Sequence, residues 1–155
     1  MRSFVPLLAL LLIAAAPARL TDAAVRAFVA RQEAAWNAGR LDAYFAAFTA
    51  DARFTDQAYQ GDKPPVPYGT STVAQARAQA AKAFRAGKVH ETGEIVRVEI
   101  AADGASARVV SREASTLEAA GHVRRLCATR IQRVVLDKGR LRSGGQTDTF
   151  IRCRH

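Results

Sequence analysis

The sequence predicts an α+β domain in which three N-terminal helices pack on a curved, mainly antiparallel sheet. Three observations carry this. Apolar residues recur at helical spacing in the first half, and the period changes to two from Val89 onward. Short turn signals then stand at Asp103-Gly104, Ala120-Gly121 and Lys138-Gly139. Helices first and a long meander afterwards is an α+β order, with the helices gathered on one face of the sheet.

The 155 residues suit one domain with a real core. Residues 1–18 stand apart: Met1-Arg2 is a positive start, Phe4 to Ala15 an apolar run, and Ala16-Pro17-Ala18 a small-x-small cleavage pattern. That is the plan of a cleaved signal peptide, too short to span a bilayer comfortably. The expectation is a single domain over residues 19–155, exported to a periplasmic or extracellular space, with no stable membrane insertion after leader cleavage. The net charge is +9 and the pI about 10.5. Because the arginines are interspersed with acids and no aromatic residues interleave with them, nucleic-acid binding is not expected.

From Thr21, a cap residue, Val25, Phe28, Val29 and Trp36 define one face of a helix that also carries Gln32. Asn37-Ala38-Gly39 stops it. Leu41, Tyr44, Phe45 and Phe48 predict a second helix folded back on the first, and Arg53 to Asp56 a short strand. Residues 57–70, with three prolines and two glycines, read as a loop bearing Tyr59 and Tyr68. A third helix starts near Ser71 or Thr72, shows Val73, Ala76, Ala80 and Phe84 on one face, and stops at Gly87. Four strands complete the chain: Ile95 to Ile100, Ala107 to Leu117, Val123 to Leu136 and Leu141 to Cys153.

A two-residue turn at Asp103-Gly104 sets Val98 opposite Val109, Ile100 opposite Ala107 and Glu99 opposite Arg108. Carried onward, the register puts Val96, Val98, Ile100, Val109, Leu117, Leu126, Ala128 and Val134 on the face the helices cover. Four polar residues remain there: Ser111, Glu113, Arg130 and Gln132. Arg97, Glu99, Arg108, Arg112, Arg125 and Arg133 take the other face. The same register pairs Cys127 with Phe150, which turns Cys153 to the opposite face by parity; a bulge at Gly144-Gly145 corrects this and brings Asp148 beside Arg130. In an oxidising compartment the two cysteines are then expected to form a cross-strand disulfide, the alternative being two free buried thiols.

The stretch Ala35-Trp36-Asn37-Ala38-Gly39-Arg40-Leu41-Asp42, followed by Phe48-Thr49-Ala50-Asp51-Ala52-Arg53-Phe54, resembles the nuclear transport factor 2-like superfamily. Ketosteroid isomerases, scytalone dehydratase and SnoaL-type polyketide cyclases share its cone-shaped fold. The resemblance implies a pocket between helices and sheet, and it puts Asp56 at the position of the isomerases' general base. Their oxyanion donors are not matched: Gln32 stands at the tyrosine position and Arg130 or Ile131 at the aspartate position. Steroid isomerisation is therefore not expected.

Two classes of function remain. One is a binding domain for a small apolar or carbonyl-bearing molecule, with Gln32, Trp36, Tyr59, Tyr68, Ser111 and Gln132 as candidate ligand contacts. The same pocket, if catalytic, would run cofactor-free proton transfer of the isomerase, dehydratase or cyclase type, with Asp56 as base and Glu113 and Arg130 as orienting groups. The other is a homodimeric association domain using the outer sheet face, which analytical sedimentation would detect. Each site residue also has a structural reading: Asp56 as a turn acid, Glu113 and Arg130 as an ion pair, Trp36 as core, and the two tyrosines as cover for the core edge. His90, beside Glu91, reads as a surface strand end. The histidines lie far apart, and no metal spacing, P-loop, nucleophile elbow or dinucleotide fingerprint is present, so neither metal nor cofactor is expected.

Overall fold

The computed structural model describes residues 19–153. The proposed leader and His155 lie outside the described residues. Three helices, α1 (Asp22–Asn37), α2 (Leu41–Ala46) and α3 (Val73–Ala86), accompany six strands: β1 (Phe48–Ala58), β2 (Val66–Thr72), β3 (Lys88–Ile100), β4 (Ser106–Ala119), β5 (His122–Asp137) and β6 (Arg140–Ile151). They form one sheet in the order β2-β1-β6-β5-β4-β3. All pairings are antiparallel except β1 with β6. No helix of the described residues is long and apolar enough to cross a membrane.

The helices are not all N-terminal, because β1 and β2 intervene between α2 and α3. Two local expectations change with this. The helical spacing that included Phe48 breaks at Ala47, and Phe48 opens an eleven-residue strand while still packing on Tyr44 and Phe45. Residues 57–70 are not all loop either: Val66–Thr72 pairs with β1 across Pro67. An edge strand tolerates proline because its outward N–H has no partner to lose.

Local chemistry explains the helix ends. Thr21 caps α1, accepting a hydrogen bond from Ala24 N–H. At its other end the Gly39 N–H donates to the Trp36 carbonyl and the Arg40 N–H to the Ala35 carbonyl, a Schellman closure that needs the left-handed Gly39 (φ 66°). Thr72 and Gln75 cap α3 reciprocally. Two core clusters form beneath. Leu20, Val25, Phe28, Ala107, Val109 and Val134 join α1 to the meander, and Ala35, Tyr44, Phe45, Phe48, Ala52 and Ala80 join the three helices to β1.

The expected pairs Val98–Val109, Glu99–Arg108 and Ile100–Ala107 are present. The turn between them is wider than two residues, since Ala101 N–H donates to the Ser106 carbonyl and Gly104 N–H to the Ala101 carbonyl, but the register is unchanged. A bulge at Val96 then breaks the alternation of β3. Ile95 replaces Val96 on the covered face, and Val96 is half exposed. In β6 the register shifts at Gly144-Gly145, where Gly145 adopts φ 127°. Cys127 and Cys153 are joined, with Cα atoms 5.2 Å apart. On the outer face, Glu99 lies 3.0 Å from both Arg97 and Arg108, and Glu94 lies 3.4 Å from Arg112.

Candidate functional site

Between α2, α3 and the inner sheet face lies a cavity of about 300 Å³. Its walls are apolar, chiefly Trp36, Phe45, Phe54, Ala80, Leu126 and Phe150. Its polar members are dominated by Asp56, Glu91, Glu113, Arg130 and Asp148. The centre of this group is Arg130 on β5. Its Nε donates to Asp148 Oδ1 at 2.7 Å, Nη2 to Asp148 Oδ2 at 2.9 Å, and Nη1 to Glu91 Oε1 at 2.8 Å. Glu113 Oε2 lies farther off, 3.8 Å from Nη1. Two carboxylates thus hold both edges of the guanidinium, the geometry in which a buried arginine keeps its charge.

Glu91 is oriented twice over. Ser115 Oγ donates to its carboxylate at 2.9 Å. The Asn37 side chain brackets its backbone, Nδ2 donating to the Glu91 carbonyl at 2.7 Å and Oδ1 accepting from the Glu91 N–H at 2.8 Å. The asparagine of the Trp-Asn-Ala-Gly helix end therefore ties α1 to an edge strand and fixes the acid that holds Arg130. Asn37→Ala, which removes two part-buried hydrogen bonds, is expected to cost about 2 kcal/mol in urea unfolding. Asn37→Asp, keeping the acceptor alone, is expected to fall between wild type and alanine.

The carboxyls differ in their hold on a proton. Burial disfavours the Glu91 anion, but Arg130 and the hydrogen bonds from Arg130 and Ser115 outweigh it and hold the group below its ordinary range. Burial raises Glu113 to about 7; Arg130 and the Ser111 hydrogen bond oppose this, and the nearby Glu91 and Asp148 charges add to it. Burial also raises Asp56, with Asp148 adding to the effect and Arg130 opposing it. Asp148 is the residue beside Asp56 in the parallel β1–β6 ladder. Gly93, paired with Glu113, gives its carboxylate room: a Cβ there would lie 2.7 Å from Glu113 Oε2.

A pH dependence follows from Glu113. Its folded pKa exceeds the ordinary 4.5, so the folded chain binds the extra proton between about 4.5 and 7, and stability falls as pH rises through that window. Comparing urea midpoints at pH 5 and pH 8, Glu113→Gln is expected to lose less than wild type, by on the order of 2 kcal/mol at about 1.4 kcal/mol per pH unit. The Glu91 contribution has the opposite sign and is lost only below the ordinary carboxylate range.

Of the residues expected at the site, Trp36, Asp56, Glu113 and Arg130 line the cavity. Gln32, Ser111 and Gln132 are buried but do not reach it. Gln132 Nε2 donates to Gln32 Oε1 at 2.8 Å and to Ser143 Oγ at 3.1 Å, while Ser111 Oγ donates to Glu113. These contacts occupy the Gln132 amide and the Ser111 hydroxyl, while the Gln32 Nε2 has no hydrogen-bond partner among the described residues. Tyr59 and Tyr68 are exposed; Tyr68 stands outside the mouth, its ring centroid 6.4 Å from that of Phe150. Sequence reasoning missed Glu91, Ser115 and Tyr44. The period-two pattern of β3 pointed Glu91 outward, and only the bulge turns it inward. Among the described residues no group of three or more His, Cys, Asp or Glu is placed to hold a metal ion.

Compared by sequence, the chain matches no protein-family model and no curated protein. Solved structures do match. A ketosteroid isomerase-like protein from Erwinia carotovora atroseptica aligns with a TM-score of 0.61 at 17% identity, over 84% of this chain and 96% of that one. An NTF-2-like protein of unknown function from Shewanella oneidensis gives 0.59 at 16%, over 82% and 97%. A conserved protein from Planctomyces limnophilus gives 0.67 at 12%, over 84% and 95%. The fold is that of the nuclear transport factor 2-like superfamily, a scaffold that hosts binding domains and enzymes alike.

Proposed function

We propose that this is an exported domain that binds a small, mainly apolar molecule in the cavity between helices and sheet. The observation that carries the reading is the cavity's construction: apolar walls around one ion-paired arginine and four carboxyl groups, Asp56, Glu91, Glu113 and Asp148. Cavities of about this size, with few convergent polar groups, suit small ligands. Burial raises Glu113 to about 7, so the polar end of a ligand can meet a carboxylic O–H donor as well as a carboxylate.

A second reading is favoured by Glu113 itself. A carboxyl raised to about 7 beside a cavity has the proton affinity of a general acid or base at neutral pH. On that reading Asp56 and Glu113 move a proton between carbons next to a carbonyl, without a cofactor.

The binding reading is tested by titrating the protein, in heteronuclear NMR, with neutral probes such as cyclohexenone and 1-decanol. Saturable shifts at Trp36, Ala80 and Leu126, abolished by Ala80→Phe, are the expected result. No saturable shift with either probe would overturn it. For the catalytic reading, unchanged turnover of an accepted enone by both Asp56→Asn and Glu113→Gln would remove the proposed groups.

A further inference from the structure

The cavity faces of β5 and β6 change character along their length. On β5, side chains two residues apart share a face, so Arg130, Ala128, Leu126 and Arg124 form one column. On β6 the matching column is Asp148 and Phe150, with Arg152 next in the alternation; Arg130 pairs with Asp148 and Ala128 with Phe150. The floor is acidic around one arginine, the middle is apolar, and the outer end is basic.

That outer end opens into a depression of about 660 Å³ containing Tyr68, Arg124, Arg125, Ile151 and Arg152. It shares Asp56, Leu126 and Phe150 with the cavity, so the two spaces adjoin. Arg124, Arg125 and Arg152 are exposed, and among the described residues none has a carboxylate within 4.0 Å. Tyr68, Leu126 and Ile151 beside them are 65%, 36% and 44% exposed, an unusual concentration of apolar surface at a rim. The disulfide holds this rim together, for Cys127 and Cys153 each follow one of its residues and line the same depression.

We propose that the ligand is an anionic amphiphile, oriented with its charged head between Arg124 and Arg152 and its apolar body in the cavity. This rests on the binding reading above and names the ligand class. The charges decide the orientation. An anion driven to the floor would meet four carboxyl groups, and both edges of the Arg130 guanidinium are already taken by Asp148 and Glu91. At the rim the same anion meets the Arg124 and Arg152 guanidiniums, which have no carboxylate partner among the described residues and can each give paired N–H donors to a carboxylate, sulfate or phosphate. Six residues separate Arg130 from Arg124, roughly 20 Å of strand at about 3.3 Å per residue, which suits a medium-length chain.

The test compares decanoate, 1-decanol and decyltrimethylammonium below their aggregation concentrations, by calorimetry at low salt. Decanoate is expected to bind at least tenfold more tightly than decanol, with the preference shrinking as salt rises. Arg124→Gln combined with Arg152→Gln, at exposed positions outside the core, is expected to abolish the preference and leave decanol affinity within twofold of wild type. Equal binding of decanoate and decanol to wild type would overturn the rim proposal and leave the cavity reading standing. Tightest binding of the cation would overturn it as well, in favour of the acidic floor. Failure of all three probes would sink the cavity reading and this one with it. Binding to phosphatidylglycerol vesicles without saturable decanoate binding would replace the small molecule by a membrane surface and also overturn the proposal.

Discussion

Replacing Arg130 with methionine is expected to lower the unfolding free energy at neutral pH by about 3–5 kcal/mol, the usual cost of removing one partner from a buried ion pair. The reason is what remains. Glu91 and Asp148 lose the guanidinium that both contact at 2.7–2.9 Å, and Glu113 loses the one cation that opposes its protonation. The deficit should narrow as pH falls, because protonating the stranded carboxyls removes the charge that cannot be solvated. Urea unfolding at pH 5 and pH 7.5 checks both parts. A variant as stable as wild type at pH 7.5 would show that the network contributes little. Arg130→Lys is a sharper control: it keeps the charge but cannot hold two carboxylates on two edges, so it should recover only part of the loss.

Cutting the Cys127–Cys153 disulfide, by Cys127→Ser with Cys153→Ser, is expected to cost about 3 kcal/mol. The bridge closes a loop over a sequence separation of 26, and its absence restores chain entropy to the unfolded state. The loss should also be local. Hydrogen exchange at Ile151 and Arg152 should rise well before that at Thr147 and Asp148, since the bridge fastens the outer end of β6 while the inner end is held by pairing on both sides. Mass spectrometry of alkylated, unreduced wild-type protein should show no labelled cysteine.

How far the site was legible depended on parity along each strand. Ser111, Glu113, Arg130 and Gln132 sit on one face of β4 and β5 because those strands pair without interruption, and their burial is what simple alternation predicts. Asp148 was accessible to the same reasoning because Gly144-Gly145 signals a bulge. Val96 carries no such signal. It is a β-branched residue in a plausible strand, yet the extra residue there reverses every position on its N-terminal side and carries Glu91 inward. The polar ligand contacts expected at Gln32 and Gln132 failed for another reason. The two buried amides are joined by one hydrogen bond of 2.8 Å, and a distance between α1 and β5 is not written in either segment.

Periodicity, caps and turn residues by themselves determined the three helices, the meander and its main register, and made the cysteine pairing the favoured of two alternatives, because each depends on contacts close in sequence or on strand parity. The placement of β1 and β2 between the helices, the convergence of Glu91 and Asp148 on Arg130, and the position of the arginine rim beside the apolar cavity were decided only by the tertiary structure. The physical reason is the same in each case. These features depend on long-range pairing, β1 beside β6 and β3 across a bulge, and one slipped residue exchanges the buried face of a strand for the exposed one.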